Sequence, residues 1–360
     1  MVYNCKMKKF LLLLIFVVLV SFFFFQKKEN KIEKKTPIVP TLIKKQRNTQ
    51  VISSSKSIFV PYWSMSGDLI DMNQYDNLFY FGLNGGSMGI DKNDPGFQKI
   101  SDFMDKTPPN KTKFLTIKIS EWDRNRQKII SDAVDIAKQY KFSGVVLDLE
   151  LNSLFSDQVK NQITDFVQLF STTLKKENMK LYVTLYGDTF YRKRPYDVLQ
   201  ITKSVDQILI MAYDFHKASG EPGPNFPFTN SQKYGYDFQM MVDDFQKFVP
   251  QDKLTVIFGL YGYDWMVDEK KRPIKPAKAL TLDEIRPKFL EKCQWQDCLV
   301  KRDDKSKETE VDYVISNVVD NYGYLDYHVV WFEDEESVEK IDYLKTKGIG
   351  NIVYWAWGYF

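Results

Sequence analysis

The chain has 360 residues, 44% of them hydrophobic and 15% aromatic, enough for one large barrel or two modest domains. Residues 1–50 carry 11 Lys and Arg against 2 Asp and Glu, and the rest carries 39 against 45. The body is therefore mildly acidic, which argues against nucleic acid as the main partner. The 21 Tyr and 7 Trp fit a sugar-binding cleft, where aromatic faces meet sugar rings.

From the N-terminus, Lys8 and Lys9 precede an apolar run from Phe10 to Phe25, the n-region and h-region of an export signal. No small-residue cleavage site follows. The expectation for residues 1–25 is an uncleaved signal-anchor, with a cleaved signal peptide as the alternative. As a helix the run would be about 24 Å long, short for a hydrocarbon core of roughly 30 Å, but Lys on both flanks can snorkel. The protein is expected outside the cytoplasm, membrane-anchored or secreted, and monomeric. Residues 26–56 are rich in Lys, Glu, Pro, Thr, Ser and Gln and read as a disordered linker.

Eight strand-like runs follow, at 57–63, 77–85, 113–120, 142–150, 180–187, 205–215, 253–265 and 350–359. Helical patterns separate several of them. Ile129, Ile130, Ala133, Val134 and Ala137 are at helix spacing. Ser156 is a candidate N-cap for a helix with the stripe Val159, Ile163, Phe166, Val167 and Phe170. This alternation predicts an α/β fold, a (β/α)8 TIM barrel over 57–360. The competing doubly wound sheet lacks a Gly-rich phosphate loop after its first strand. Residues 266–336 are too long for a plain loop and read as a small β-rich insertion between strand 7 and the last helix. Cys293 and Cys298 are compatible with a disulfide in an exported protein or with two free thiols. Two His, at 216 and 328, give no metal-ligand pattern, and no cofactor is expected.

The stretch FSGVVLDLEL, Phe142–Leu151, ends an apolar strand in two acids. Alternation puts Val146, Asp148 and Glu150 on one face and Val145, Leu147 and Leu149 on the other. The second set suits the outer helices, so the acids should point into the barrel near its C-terminal mouth, where barrel enzymes keep catalytic groups. A carboxylic acid donates a proton best when its pKa is raised toward working pH, and a second acid nearby raises it.

SGVVLDLE resembles DGxDxDxE, the signature of glycoside hydrolase family 18, the chitinase-like family. MAYDF (211–215) resembles its MxYD, GLYGYDW (259–265) its strand-seven segment, and VYWAWGY (353–359) its strand-eight segment. The C-terminal HVVWFEDEESVEKIDYLKTKGIGNIVYWAWG is similar to members acting on bacterial cell walls and spore cortex. The resemblance implies Glu150 as acid/base, with Asp148 turning to hold the acetamido N–H of the substrate. It implies Tyr213 bonding the acetamido oxygen, Asp214 and Met211 in the substrate site, and Trp355 beneath the sugar. Such enzymes use the substrate's own N-acetyl oxygen in place of a second carboxylate. The implied reaction is hydrolysis of β-1,4 bonds next to N-acetylglucosamine, in peptidoglycan or chitin-type glycans. The alternative is a lectin-like, non-catalytic barrel that binds such glycans.

The family's first and middle Asp are here Ser143 and Val146. Val146 removes a charge below Asp148 and leaves it to couple mainly with Glu150; cell-wall members often lack this acid too. Tyr62 and Trp63, Tyr186 and Asp188, and Tyr261, Tyr263, Asp264 and Trp265 end strands at the mouth. Of these, Tyr62, Tyr186 and Tyr261 are further candidates for substrate contact.

Overall fold

Every residue of Gly144–Leu149 is buried, and a strand covered on both faces belongs inside a parallel sheet wrapped by helices. The computed structural model describes residues 54–65, 72–119, 125–151, 156–319, 322–333 and 337–360. The expected anchor, and the linker as far as residue 53, lie outside the described residues. Ser55 and Lys56, expected in the linker, already belong to the first strand.

The strands are β1 (Ser55–Pro61), β2 (Asn77–Gly86), β3 (Gly89–Ile90), β4 (Thr112–Ile119), β5 (Gly144–Leu149), β6 (Lys180–Tyr186), β7 (Gln207–Ala212), β8 (Leu254–Gly259), β9 (Tyr261–Val267), β10 (Lys278–Thr281), β11 (Gln296–Asp303), β12 (Glu308–Val319), β13 (Tyr322–Phe332) and β14 (Asn351–Trp355). Neighbours run β1-β14-β8-β7-β6-β5-β4-β2, and β1 also pairs with β2. All of these pairings are parallel, so the sheet closes as an eight-stranded barrel.

Strand alternation sorts the core into two layers. Val146 packs inside the barrel with Phe59, Phe79, Phe114, Leu209, Met211, Ile257 and Val353. Val145, Leu147 and Leu149 face outward into the shared core with Ile163, Phe166 and Phe170 of the helix Asp157–Lys176. Full burial of such side chains is worth about 1.5–3 kcal/mol each. Ser156 caps that helix, its hydroxyl accepting from Val159 N–H at 3.1 Å.

The run read as one strand over 253–265 is two strands in two sheets. The chain leaves the barrel at Gly259, where a Cβ would lie 2.6 Å from the Tyr261 ring and 2.7 Å from Tyr213 Cβ. The close approach admits glycine alone and lets the next strand turn away. The insertion therefore begins at Tyr261, not Met266, and is an antiparallel sheet of order β10-β9-β13-β12-β11. Cys293 and Cys298, just before and within β11, are joined by a disulfide.

A buried ion network ties this sheet to the barrel. Glu308 of β12, fully buried, accepts the backbone N–H groups of Asn225 at 2.5 Å and Phe226 at 2.8 Å in the loop after β7. Lys340, in the helix Val338–Thr346, donates to Glu308 at 2.7 Å and also to Glu333. Burial pushes the Glu333 carboxyl up to about 8, with Lys340 pulling it down and Glu308 pushing it up. Removing the cation from two buried acids leaves uncompensated charge, so Lys340→Met should lose about 3–5 kcal/mol of stability. Urea unfolding measures this; a loss below about 1 kcal/mol would show that the acids do not depend on Lys340.

Candidate active site

The C-terminal ends of β4, β5, β6 and β7, with the start of β9, surround a cleft of about 360 Å³. Asp148, on β5, points inward and is 4% exposed. Thr184 of β6, its register partner, donates its hydroxyl to Asp148 Oδ1 at 2.5 Å. Glu150 follows two residues later, just past the strand, with its side chain 31% exposed. Both acids are on the inward face of the strand and line the cleft, Asp148 the deeper and Glu150 nearer the mouth. Burial first, then the charge of Glu150, pushes the Asp148 carboxyl up to about 7; the Thr184 hydroxyl and Lys118 pull against them. Direct interaction between the two carboxyls adds a further, smaller push upward on Asp148. An acid that keeps its proton to near neutral pH beside a second carboxyl can share or pass that proton.

β7 ends at Ala212, so Tyr213 and Asp214 emerge at its C-terminal end. Burial, reinforced by Asp148 and Asp214, holds the Tyr213 phenol well above its usual range, so it stays a neutral donor. Asp214 takes a left-handed backbone, φ 56°, fixed by its N–H donating to Asn225 Oδ1 at 2.7 Å. Its carboxylate accepts the hydroxyls of Tyr261 and of Tyr263, the latter at 2.7 Å. Asn225 in turn donates to the Gly259 carbonyl at 3.0 Å, so the network that begins at Glu308 ends at Asp214.

Trp355 ends β14, and its peptide to Ala356 is cis. The indole packs among Phe59, Phe81 and Trp63, forming an apolar wall opposite the acids. Its partly buried face suits stacking against a sugar ring.

The structure therefore brings Glu150, Asp148, Tyr213, Asp214, Tyr261 and Trp355 to one cleft. Of the other candidates, Tyr186 borders the acids without lining the cleft. Tyr62 packs over Gly82, where a Cβ would lie 2.9 Å from its ring; its neighbour Trp63 lines the cleft instead, 45% exposed. Met211 is in the inner core below the floor. Tyr186 is beside the acids, whose charge adds to burial in raising its phenol. Arg194 lies over its ring at 4.0 Å, and Tyr186 is not among the cleft-lining residues. Asp188 is a buried structural acid held by Arg194 at 2.8 and 3.0 Å. Asp264 binds His328 and Tyr313 within the insertion, and Trp265 is in the insertion core.

Lys118, Thr184 and Asn225 belong to the site, and sequence reasoning missed all three. Lys118 lines the cleft with its Nζ 2.6 Å from Glu150 Oε2. Alternation in KFLTIKIS could have found it, because Phe114, Thr116 and Lys118 share a face. Val146 leaves a mark of its own. Its register partner Thr116 is fully buried, and the Thr116 hydroxyl has no hydrogen-bond partner.

The family model for Glycosyl hydrolases family 18 matches residues 58–359. The chain belongs to this family. It is 24% identical over 243 residues to the uncharacterized glycosylase YvbX of Bacillus subtilis (strain 168), covering 65% of this chain and 62% of the relative. It is 23% identical to the cortical fragment-lytic enzyme of Bacillus anthracis, over 65% of this chain and 50% of that protein. The chain thus spans between half and two-thirds of these relatives. In structure it resembles the Bacillus cereus spore cortex-lytic enzyme SleL, with a TM-score of 0.64, 19% identity, and coverage of 85% of this chain and 71% of that one. It also resembles a class V chitinase mutant from Nicotiana tobaccum in complex with NAG4, with a TM-score of 0.66, 16% identity, and coverage of 84% and 94%.

The raised Asp148 carboxyl has consequences for both activity and stability. Folding makes Asp148 hold a proton that an unfolded aspartate releases above its ordinary 3.8. The folded state then binds more protons than the unfolded one, so stability falls as pH rises from that value to about 7 and levels off beyond it. Activity should fall over the alkaline side with a midpoint near the same value, as the shared proton is lost. Asp148→Asn should flatten the stability slope, read by urea unfolding across pH. An unchanged slope in that variant would assign the proton uptake to another group.

Proposed function

We propose that this family 18 glycosidase hydrolyses β-1,4 bonds next to N-acetylglucosamine in peptidoglycan, by substrate-assisted retaining catalysis. The observation that carries the reading is the acid pair, half-buried Glu150 beside buried, proton-holding Asp148, sharing one cleft with Tyr213 and Trp355. Glu150 protonates the leaving oxygen. The N-acetyl oxygen attacks C1, with Tyr213 donating to it and Asp148 orienting the acetamido N–H. Trp355 supplies the apolar face under the reacting sugar. Peptidoglycan is favoured over chitin by the likeness to cortex-lytic proteins. The apolar run Phe10–Phe25 supports an enzyme acting outside the cytoplasm, held to the membrane by its N-terminal segment or secreted.

The second reading, a glycan-binding barrel without turnover, draws on Val146 in place of the family's middle acid. Mass spectrometry of products from peptidoglycan and from N-acetylglucosamine oligomers separates the two. Wild-type protein should release products, and Glu150→Gln should lower turnover by roughly 10²–10⁴-fold while leaving folding intact. Folded wild-type protein that binds oligomers without cutting either substrate would establish the binding barrel.

A further inference from the structure

Lys118 has no part in the substrate-assisted scheme, yet it holds the proton donor. It projects from β4 on the inward face shared with Phe114 and Thr116, opposite Asp148 in register. Its ammonium is 2.6 Å from Glu150 Oε2, and its side chain is 35% exposed. Among the described residues that line the cleft, Lys118 carries the sole positive charge, against Asp148, Glu150 and Asp214. A carboxylate paired to an ammonium has no proton to give. The lysine also occupies one of the two oxygens of the proton donor. Glu150 must therefore be released before the first chemical step.

A neutral N-acetylglucosamine oligomer offers only hydroxyls and amides to compete for that ammonium. A muramic-type sugar freed of its peptide carries an ether-linked lactyl carboxylate on an N-acetylated ring. Charge-assisted pairing to a carboxylate is about twice as strong as a neutral hydrogen bond, and the lysine's four-carbon stem is flexible enough to swing. Resting on the hydrolase reading above, we propose that Lys118 is a specificity-determining and positioning residue. It surrenders Glu150 to bind the free carboxylate of a muramic-type sugar, so that an acidic N-acetylated glycan itself frees the proton donor.

The proton balance closes. Once Lys118 leaves, the proton on Asp148 passes to Glu150. Glu150 delivers it to the glycosidic oxygen as the C1–O bond breaks, and the N-acetyl oxygen bonds to C1. Ionised Asp148 then faces the oxazolinium cation. Water adds to C1, Glu150 takes the water's proton, the acetamide re-forms, and the acid pair holds one proton again. When product leaves, Lys118 returns to Glu150.

The test uses the full-length protein and three probes. These are glycan strands stripped of peptide with free lactyl carboxylates, the same strands converted to methylamides, and N-acetylglucosamine oligomers. Wild-type kcat/KM should favour the acid strands over the methylamides by about tenfold, with the gain in kcat. Lys118→Met should lower acid-strand cleavage about tenfold and raise that of the neutral oligomers, whereas Lys118→Arg should keep the acid preference. A wild-type ratio near one, or equal shifts on both substrates in Lys118→Met, would overturn the proposal. If wild-type protein cuts nothing, the hydrolase reading fails. Calorimetry on the same strands still decides the role of Lys118: an acid-to-methylamide affinity ratio unchanged by Lys118→Met rejects it.

Discussion

Asp148 is an ionisable group at the bottom of the cleft, almost wholly withdrawn from water, with a threonine hydroxyl and a second carboxyl beside it. Burial alone would make a charged carboxylate there costly. The barrel resolves the cost by letting the carboxyl keep its proton to near neutral pH. A proton retained there lies beside Glu150, the half-buried acid nearer the cleft mouth. The chemistry of the cleft thus depends on a difference in depth between two residues of one strand.

Such a difference survives only if the surrounding strands cannot shift. The inner aromatic layer beneath Asp148, Phe59, Phe79 and Phe114 with Val146, fills the barrel. The opposite rim is held by a longer chain of contacts. Lys340 satisfies Glu308, Glu308 fixes the backbone at Asn225, and Asn225 fixes the left-handed turn at Asp214. A charged cluster with no exposure to solvent thereby orients a carboxylate in the cleft, coupling the insertion to the site it borders.

Much of the barrel was legible because its code is local. Strand alternation sorted Val146, Asp148 and Glu150 from Val145, Leu147 and Leu149 without any knowledge of neighbours, and Ser156 announced its helix. The insertion boundary was not legible. YGYDW continues an apolar run without a break in composition, and the change of sheet after Gly259 shows only in the strand pairings. Tyr62 and Trp63 are equally plausible at the end of β1, and the nearness of Gly82 decides which of them turns inward.

The sequence by itself determined the barrel, the inward face of β5 and the pairing of two acids, because strand period and apolar pattern are properties of consecutive residues. The tertiary structure alone decided what those acids touch. Thr184 is 36 positions from Asp148, Lys118 is on the preceding strand, and Glu308 is 83 positions from the Asn225 backbone it holds. Electrostatics in a protein interior depends on distance and burial in space, and neither is written in the order of the residues.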